Sequence, residues 1–230
     1  NLGTNQVALG EFAGNGNKKT HQNAIGFNAG MNNEGDYQNV IGFVAGYGNK
    51  GSCQNATGWL AGNGNTGANQ NVQGYQAGLN NNGANQNAFG VSAGANNTGN
   101  HQNALGDSAG FANEAFYQNA FGYWAGVINK GLYQNAIGTR AGFNNSGNYQ
   151  VTIGDSAGYS NSGKHEVALG YWAGFANSGD STVFIGYRRG LSNSTSGKIE
   201  IDPTSTTKPL IEGYAIEDSL VINGKLQATN

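Results

Sequence analysis

The chain has 230 residues, a formal net charge of −2, only 10% charged side chains, 40 glycines and two prolines. Scattered charge of that size leaves no electrostatic footprint for nucleic acid or an anionic membrane surface, and two prolines exclude a collagen repeat. So little charge also separates the chain from charge-rich disorder, and no apolar run is long enough to span a bilayer.

Residues 1–192 repeat. The phrase Gln22-Asn23-Ala24-Ile25-Gly26 returns with small variations every sixteen residues, closing on Gly10, Gly26, Gly42, Gly58, Gly74, Gly90, Gly106, Gly122, Gly138, Gly154, Gly170 and Gly186. Twelve copies run without an insertion or deletion. The chain opens inside a copy, at Asn5-Gln6-Val7-Ala8-Leu9-Gly10, and so reads as a piece of a longer protein. A short fixed period marks a solenoid, in which each unit buries its core only by stacking on neighbours. Fixed glycines argue against a helical unit, since each costs about 1 kcal/mol relative to alanine. The pattern predicts coils of short strand, turn, short strand and loop. At about 4.8 Å per coil, twelve coils make a rod roughly 55 Å long.

Columns are counted from the closing glycine. Position −2 is small, as in Ala24, Val40, Ala56 and Ala120, with Phe184 a late exception. Position −1 is large: Leu9, Ile25, Ile41, Phe89, Leu105, Phe121, Ile137, Ile153, Leu169 and Ile185. Neighbouring strand residues point to opposite sides, so both columns cannot fill one interior. Position +3 is alanine until Arg189. The economical arrangement puts both alanine columns inside a narrow tube and the aliphatic column outside. The outer stripe then needs cover, and a tube lined with methyl groups buries little, at about 0.8 kcal/mol per group. Chains packing their stripes together under rotational symmetry meet both needs. The alternative is a single-chain solenoid with the Ile column inside.

The asparagine at +7, from Asn17 to Asn193, suits a left-handed turn and an amide bonded to its own backbone and to the copy above. The glutamine at −4 predicts a similar ladder. A neutral amide column is no calcium ladder, which needs carboxylates. Thr57 and Gln73 interrupt the −1 stripe, as tolerated defects or as a wet or ion-holding layer. At −3, Asn23 to Asn135 give way to Val151, Val167 and Val183.

Residues 193–230 differ. Pro203 and Pro209 appear, the repeat stops, Lys198-Ile199-Glu200-Ile201-Asp202 alternates as a strand, and Asn223-Gly224 reads as a hairpin turn between Ser219–Ile222 and Lys225-Leu226. This segment is expected to form a small β cap on the rod.

The phrase Asn-Ala-Ile/Leu-Gly-x-x-Ala-Gly resembles the head repeats of YadA-like trimeric autotransporter adhesins, although the period here is longer than usual there. The resemblance covers residues 1–192. It implies an all-β, left-handed parallel β-roll, three chains to a head, with the −1 residues at the trimer interface. The tail, Pro209-Leu210-Ile211-Glu212-Gly213 followed by Asp218 to Leu226, looks like the segment that precedes the self-cleaving intramolecular chaperone of phage tail fibres. That chaperone, which drives trimerisation, is not part of this chain.

Little in the sequence points to catalysis, which would need paired carboxylates, a His-linked nucleophile or a metal cluster. His21, His101 and His165 share the +11 column with Tyr37, Tyr117, Tyr133 and Tyr149, and so read as surface rings. Asp107 and Asp155 sit in the variable +1 column, and Cys53 reads as an incidental small residue. No metal or cofactor is expected. Binding fits better: variable columns on an invariant frame carry Trp59, Tyr75, Tyr123, Trp124, Tyr171 and Trp172, whose rings can stack on sugars while neighbouring amides bond hydroxyls. The expectation is a trimeric, extracellular fibre segment of a phage tail or bacterial surface that touches cell-surface polysaccharide. A purely structural spacer is the alternative.

Overall fold

A computed structural model describes residues 6–204 and 206–224. It is all-β. Strands β1 (Gln6–Leu9) and β2 (Gln22–Ile25) are followed by one strand at every sixteenth residue, through β10 (Gln150–Ile153) and β11 (Glu166–Leu169) to β12 (Thr182–Gly186). Each pairs in parallel with the next, and each residue faces its own counterpart in the following copy, as in Gln22↔Gln38 and Ile25↔Ile41. An uninterrupted period thus becomes a register without slips: a parallel β-solenoid.

Each coil holds one strand among the described residues, not the two expected. The remainder is turns, because four left-handed positions recur in every coil, one of them the glycine at +4, such as Gly30 with φ of 60°. In the second coil Asn28, Asn32 and Tyr37 have φ of 53°, 57° and 57°. A left-handed residue redirects the chain, so no further run can extend. These left-handed residues fall at +2, +4, +6 and +11 and not at the +7 asparagines, which corrects the turn role expected of that column. The turns still bond from coil to coil, with Gly30 N–H donating to Ala45 O at 2.8 Å and Asn32 N–H to Asn15 O at 2.8 Å. Backbone polar groups outside the strands are therefore satisfied along the rod.

The closing glycine has a specific cause. Gly90 has φ of 136°, and a Cβ there would stand 2.5 Å from Gly106 O. Its neighbours in the column are alike, so the corner of every coil admits no side chain.

The facing question resolves in favour of alanine inside. Ala24, Ala29, Ala120 and Ala125 are buried, whereas the −1 column points outward. Leu9, Ile25, Ile41, Leu105, Ile137 and Ile153 are exposed, and Phe89, Phe121, Leu169 and Ile185 are half-buried. The single-chain alternative with Ile inside is overturned. Thr57 and Gln73 stand in the same outward file, both exposed.

The tube is not lined by alanine alone. The +7 asparagines from Asn17 to Asn177 and the −4 glutamines from Gln22 to Gln150 are buried as well. Glutamine Nε2 donates to a backbone carbonyl of the next coil, in Gln38 to Gly51 O at 2.7 Å and Gln70 to Gly83 O at 2.8 Å. Asparagine Nδ2 donates to the glutamine five residues on, as Asn65 to Gln70 Oε1 at 2.5 Å. Asparagine Oδ1 accepts a backbone N–H, from Asn49 to Asn33 at 3.0 Å or from Ala115 to Asn113 at 2.9 Å. Half of the interior is thus an amide network that ties each coil to the next. Such bonds net about 1 kcal/mol each, but an unmet partner costs more.

Beyond residue 192 the parallel ladder gains one more strand. Strand β13 (Lys198–Asp202) pairs with β12 at the same spacing, Val183↔Ile199, although the sequence repeat has ended. Antiparallel β14 (Ile211–Tyr214) and β15 (Ser219–Ile222) complete the sheet. Their hairpin turns at 215–218, upstream of the Asn223-Gly224 turn read from the sequence, and the strand expected at Lys225-Leu226 lies outside the described residues. At this end the tube fills with larger groups. Phe184 takes the −2 place and is fully buried, and Arg189 takes the +3 place and donates to Thr206 O at 2.9 Å. Glu200 accepts from Gly190 N–H at 2.9 Å and pairs with Lys198 at 2.6 Å.

Candidate functional site

The register that builds the rod also dictates how its outer rings meet. A side chain and its counterpart in the next coil lie one strand spacing apart, about 4.8 Å, close to the separation of offset-stacked rings. The +11 column accordingly forms a continuous stack. His101–Tyr117, Tyr117–Tyr133, Tyr133–Tyr149 and Tyr149–His165 have centroids 4.7, 4.9, 4.9 and 5.1 Å apart, with planes within 14° of parallel. His21 and Tyr37 stack likewise at 4.8 Å. The histidines are members of ring ladders, and Tyr–His stacking occupies the faces through which an imidazole ladder would meet a flat ligand.

The six aromatic residues singled out from the sequence fall into three pairs. Trp59 and Tyr75 are neighbours in the +1 column, 5.9 Å apart and tilted by 55°, with Phe43 on the other side of Trp59 at 5.0 Å. Tyr123 and Trp124 are stacked at 5.5 Å, and Tyr171 and Trp172 at 5.6 Å. The two tryptophans at +2 have left-handed backbones, φ 57° and 56°. Each carries a guanidinium from the next coil, Arg140 at 5.7 Å from the Trp124 ring and Arg188 at 5.0 Å from that of Trp172.

A third ring column, at +5, escaped the sequence reading. Phe143, Tyr159 and Phe175 stack at 4.9 and 5.0 Å, and Phe175 also lies 4.9 Å from Trp172. Between the +2 and +5 columns runs an apolar groove of about 330 Å³, lined by Ser92, Ser108, Phe111, Trp124, Val127, Ile128 and Phe143. Trp124 closes it where the small serines end. The signal was present as a run of apolar residues at +5, but it looked like loop variation without knowledge that +2 and +5 flank one another.

Hydroxyls and carboxylates accompany the rings. Ser156 Oγ donates to Asp155 Oδ1 at 2.7 Å, and Ser108 Oγ to Asp107 Oδ1 at 3.5 Å. Among the described residues no group of three His, Cys, Asp or Glu is placed to hold a metal ion, and no helix is long and apolar enough to cross a membrane. Cys53 is an exposed free thiol.

One carboxylate lies inside the tube. Glu166 occupies the glutamine column, is 1% exposed, and accepts Nδ2 of Asn161 and, at 3.2 Å, Nδ2 of Asn177 through Oε2. Its Oε1 has no hydrogen-bond partner. Burial pushes this carboxyl up to about 8, the Asn177 bond opposing only in part. At neutral pH it is protonated and stands in for the uncharged amide of its column.

Comparison with protein-family models, with curated proteins and with solved structures found no match.

Proposed function

We propose that this chain is a non-enzymatic segment of a homotrimeric fibre, a left-handed β-roll of the kind seen in YadA-like adhesin heads, which works outside the cell at a phage tail or bacterial surface. The observation that carries the reading is the outward −1 file. Residues such as Leu105, Ile137 and Ile153 are exposed on a register-locked parallel sheet. Spaced by about 4.8 Å, the file extends for roughly 50 Å; Thr57 and Gln73 break it, and from Phe89 to Ile185 it runs unbroken for about 29 Å, an apolar strip of the kind that marks an interaction face. Three copies around a three-fold axis cover it by repeating one heterologous contact that closes into a ring. The −3 column strengthens the contact toward β12, where Val151, Val167 and Val183 replace asparagine. The terminal strands β13 to β15 then act as the cap of the rod, and a chaperone beyond them would supply the assembly step.

The ligand proposed is cell-surface polysaccharide, met by the exposed rings Trp59, Tyr75, Tyr123, Trp124 and Tyr171 and by the half-buried Trp172. Binding of the purified segment to bacterial cells and to their extracted polysaccharides tests this. Binding that is lost on removing Trp124 and Trp172 supports it; no binding to either favours the spacer. One observation speaks for the spacer: in the +11 ladder ring faces meet each other, leaving edges for a ligand.

A further inference from the structure

We propose that the C-terminal half of the rod carries two similar subsites for one linear, carboxylate-bearing polysaccharide laid along its axis. The inference rests on the glycan-binding reading above and specifies its ligand. From Gly106 onward the +1 and +2 residues acquire a period of their own. Asp107-Ser108, Tyr123-Trp124 and Thr139-Arg140 are followed 48 residues later by Asp155-Ser156, Tyr171-Trp172 and Tyr187-Arg188. The first six coils show nothing of the kind.

The duplication extends to geometry. In each set the serine hydroxyl donates to the preceding aspartate, at 3.5 and 2.7 Å. The tyrosine and tryptophan stack at 5.5 and 5.6 Å. The arginine of the following coil lies over the tryptophan, at 5.7 and 5.0 Å. Three contacts of different chemistry therefore recur together on the same two columns. A scaffold role does not require them, since coils with Leu60 or Gln76 at +2 stack as well.

Each set offers what a sugar acid needs. An aspartate accepts hydroxyl protons in charge-assisted bonds. A Tyr–Trp pair stacked face to face presents its ring edges as an apolar surface, Tyr171 and Trp172 being stacked in addition on Tyr187 and Phe175. Neither Arg140 nor Arg188 forms an ion pair among the described residues, so the donor fork of each guanidinium remains for a carboxylate. Spacing fixes the rest. Three coils separate the sets by about 14 Å, and an extended β-linked chain rises by close to one coil per sugar. Six sugars thus span both sets, and three fill one.

The probe is alginate, a linear polyuronate, as trimers, hexamers and polymer, with dextran as a neutral control and host-cell binding measured alongside by the same assembled protein. Calorimetry is expected to give two weak trimer sites per chain. The hexamer should bind once and at least ~10-fold more tightly, through effective concentration. Arg140→Gln or Arg188→Gln, both at exposed positions, should leave one trimer site and remove the hexamer advantage with the melting profile unchanged. A single trimer site in the unaltered chain, a hexamer no tighter than the trimer, or dextran binding as well as alginate overturns the inference. If cells are bound but alginate is not, the paired subsites fall while the glycan reading stands; if neither is bound, both fall.

Discussion

Replacing Glu166 by glutamine should stabilise the rod, and by an amount that depends on pH. In the folded chain this carboxyl is raised to about 8 by burial, from an ordinary value of 4.5. Below pH 4.5 folded and unfolded chains both hold the proton, so glutamine offers nothing electrostatic. Between 4.5 and 8 the folded chain keeps a proton that the unfolded chain releases, and stability falls as pH rises by about 1.4 kcal/mol per pH unit. Above 8 the loss is complete and constant. The difference between the glutamine variant and the parent should therefore be near zero at pH 4, on the order of 3 kcal/mol at pH 7 and on the order of 5 kcal/mol at pH 9. For a chain of this size that corresponds to roughly 6–12 °C in melting temperature at pH 7. The groups around the site are the amides of Asn161 and Asn177 with Gln150 and Thr182 of the adjoining strands, none of which titrates. Paired thermal melts of parent and variant across this pH range supply the global measure, and hydrogen exchange of the β11 and β12 amides the local one. A difference that is the same at pH 4 and pH 9 would refute a neutral Glu166 standing in for glutamine.

Gly90→Ala should cost about 2 to 4 kcal/mol in denaturant titration, because its Cβ would meet Gly106 O at 2.5 Å on a left-handed backbone; a neutral result would show that the coil corner has slack. Asn113→Ala removes the donor to Gln118 Oε1 and the acceptor of Ala115 N–H at 2.9 Å, and should cost about 1–3 kcal/mol by the same assay. Ile137→Asp, at an exposed position, should leave the circular dichroism of a single chain intact while weakening assembly by on the order of 5 kcal/mol over three symmetric copies.

Much of the fold was legible because the period does two jobs. An unbroken sixteen-residue repeat fixes the register, and the contrast of Ala120 at −2 with Phe121 at −1 fixes which side faces in. What stayed hidden depends on backbone angles that side chains do not announce. Trp124, Tyr133 and Asn144 share a left-handed conformation, and nothing in such different residues signals it. The single strand per coil follows from those angles, and so was missed. The buried Asn–Gln network was half visible, since both columns are plain in the sequence but polar residues at fixed places read equally well as surface ladders. The ring ladder at +5 and the continuation of the sheet into β13 arise from contacts between columns or from backbone pairing, where sequence similarity had already lapsed. For the site, the tryptophans stood out early. Their arginine and Asp–Ser companions did not, because each belongs to a different coil.

The most direct measurement is the mass of the intact segment in solution by light scattering or sedimentation equilibrium, at concentrations spanning the micromolar range. An outward aliphatic file covered by partner chains predicts about three times the 23.8 kDa of one chain, held without dissociation on dilution. A stable, monodisperse species of one chain, with Leu105, Ile137 and Ile153 in contact with solvent, would contradict the account.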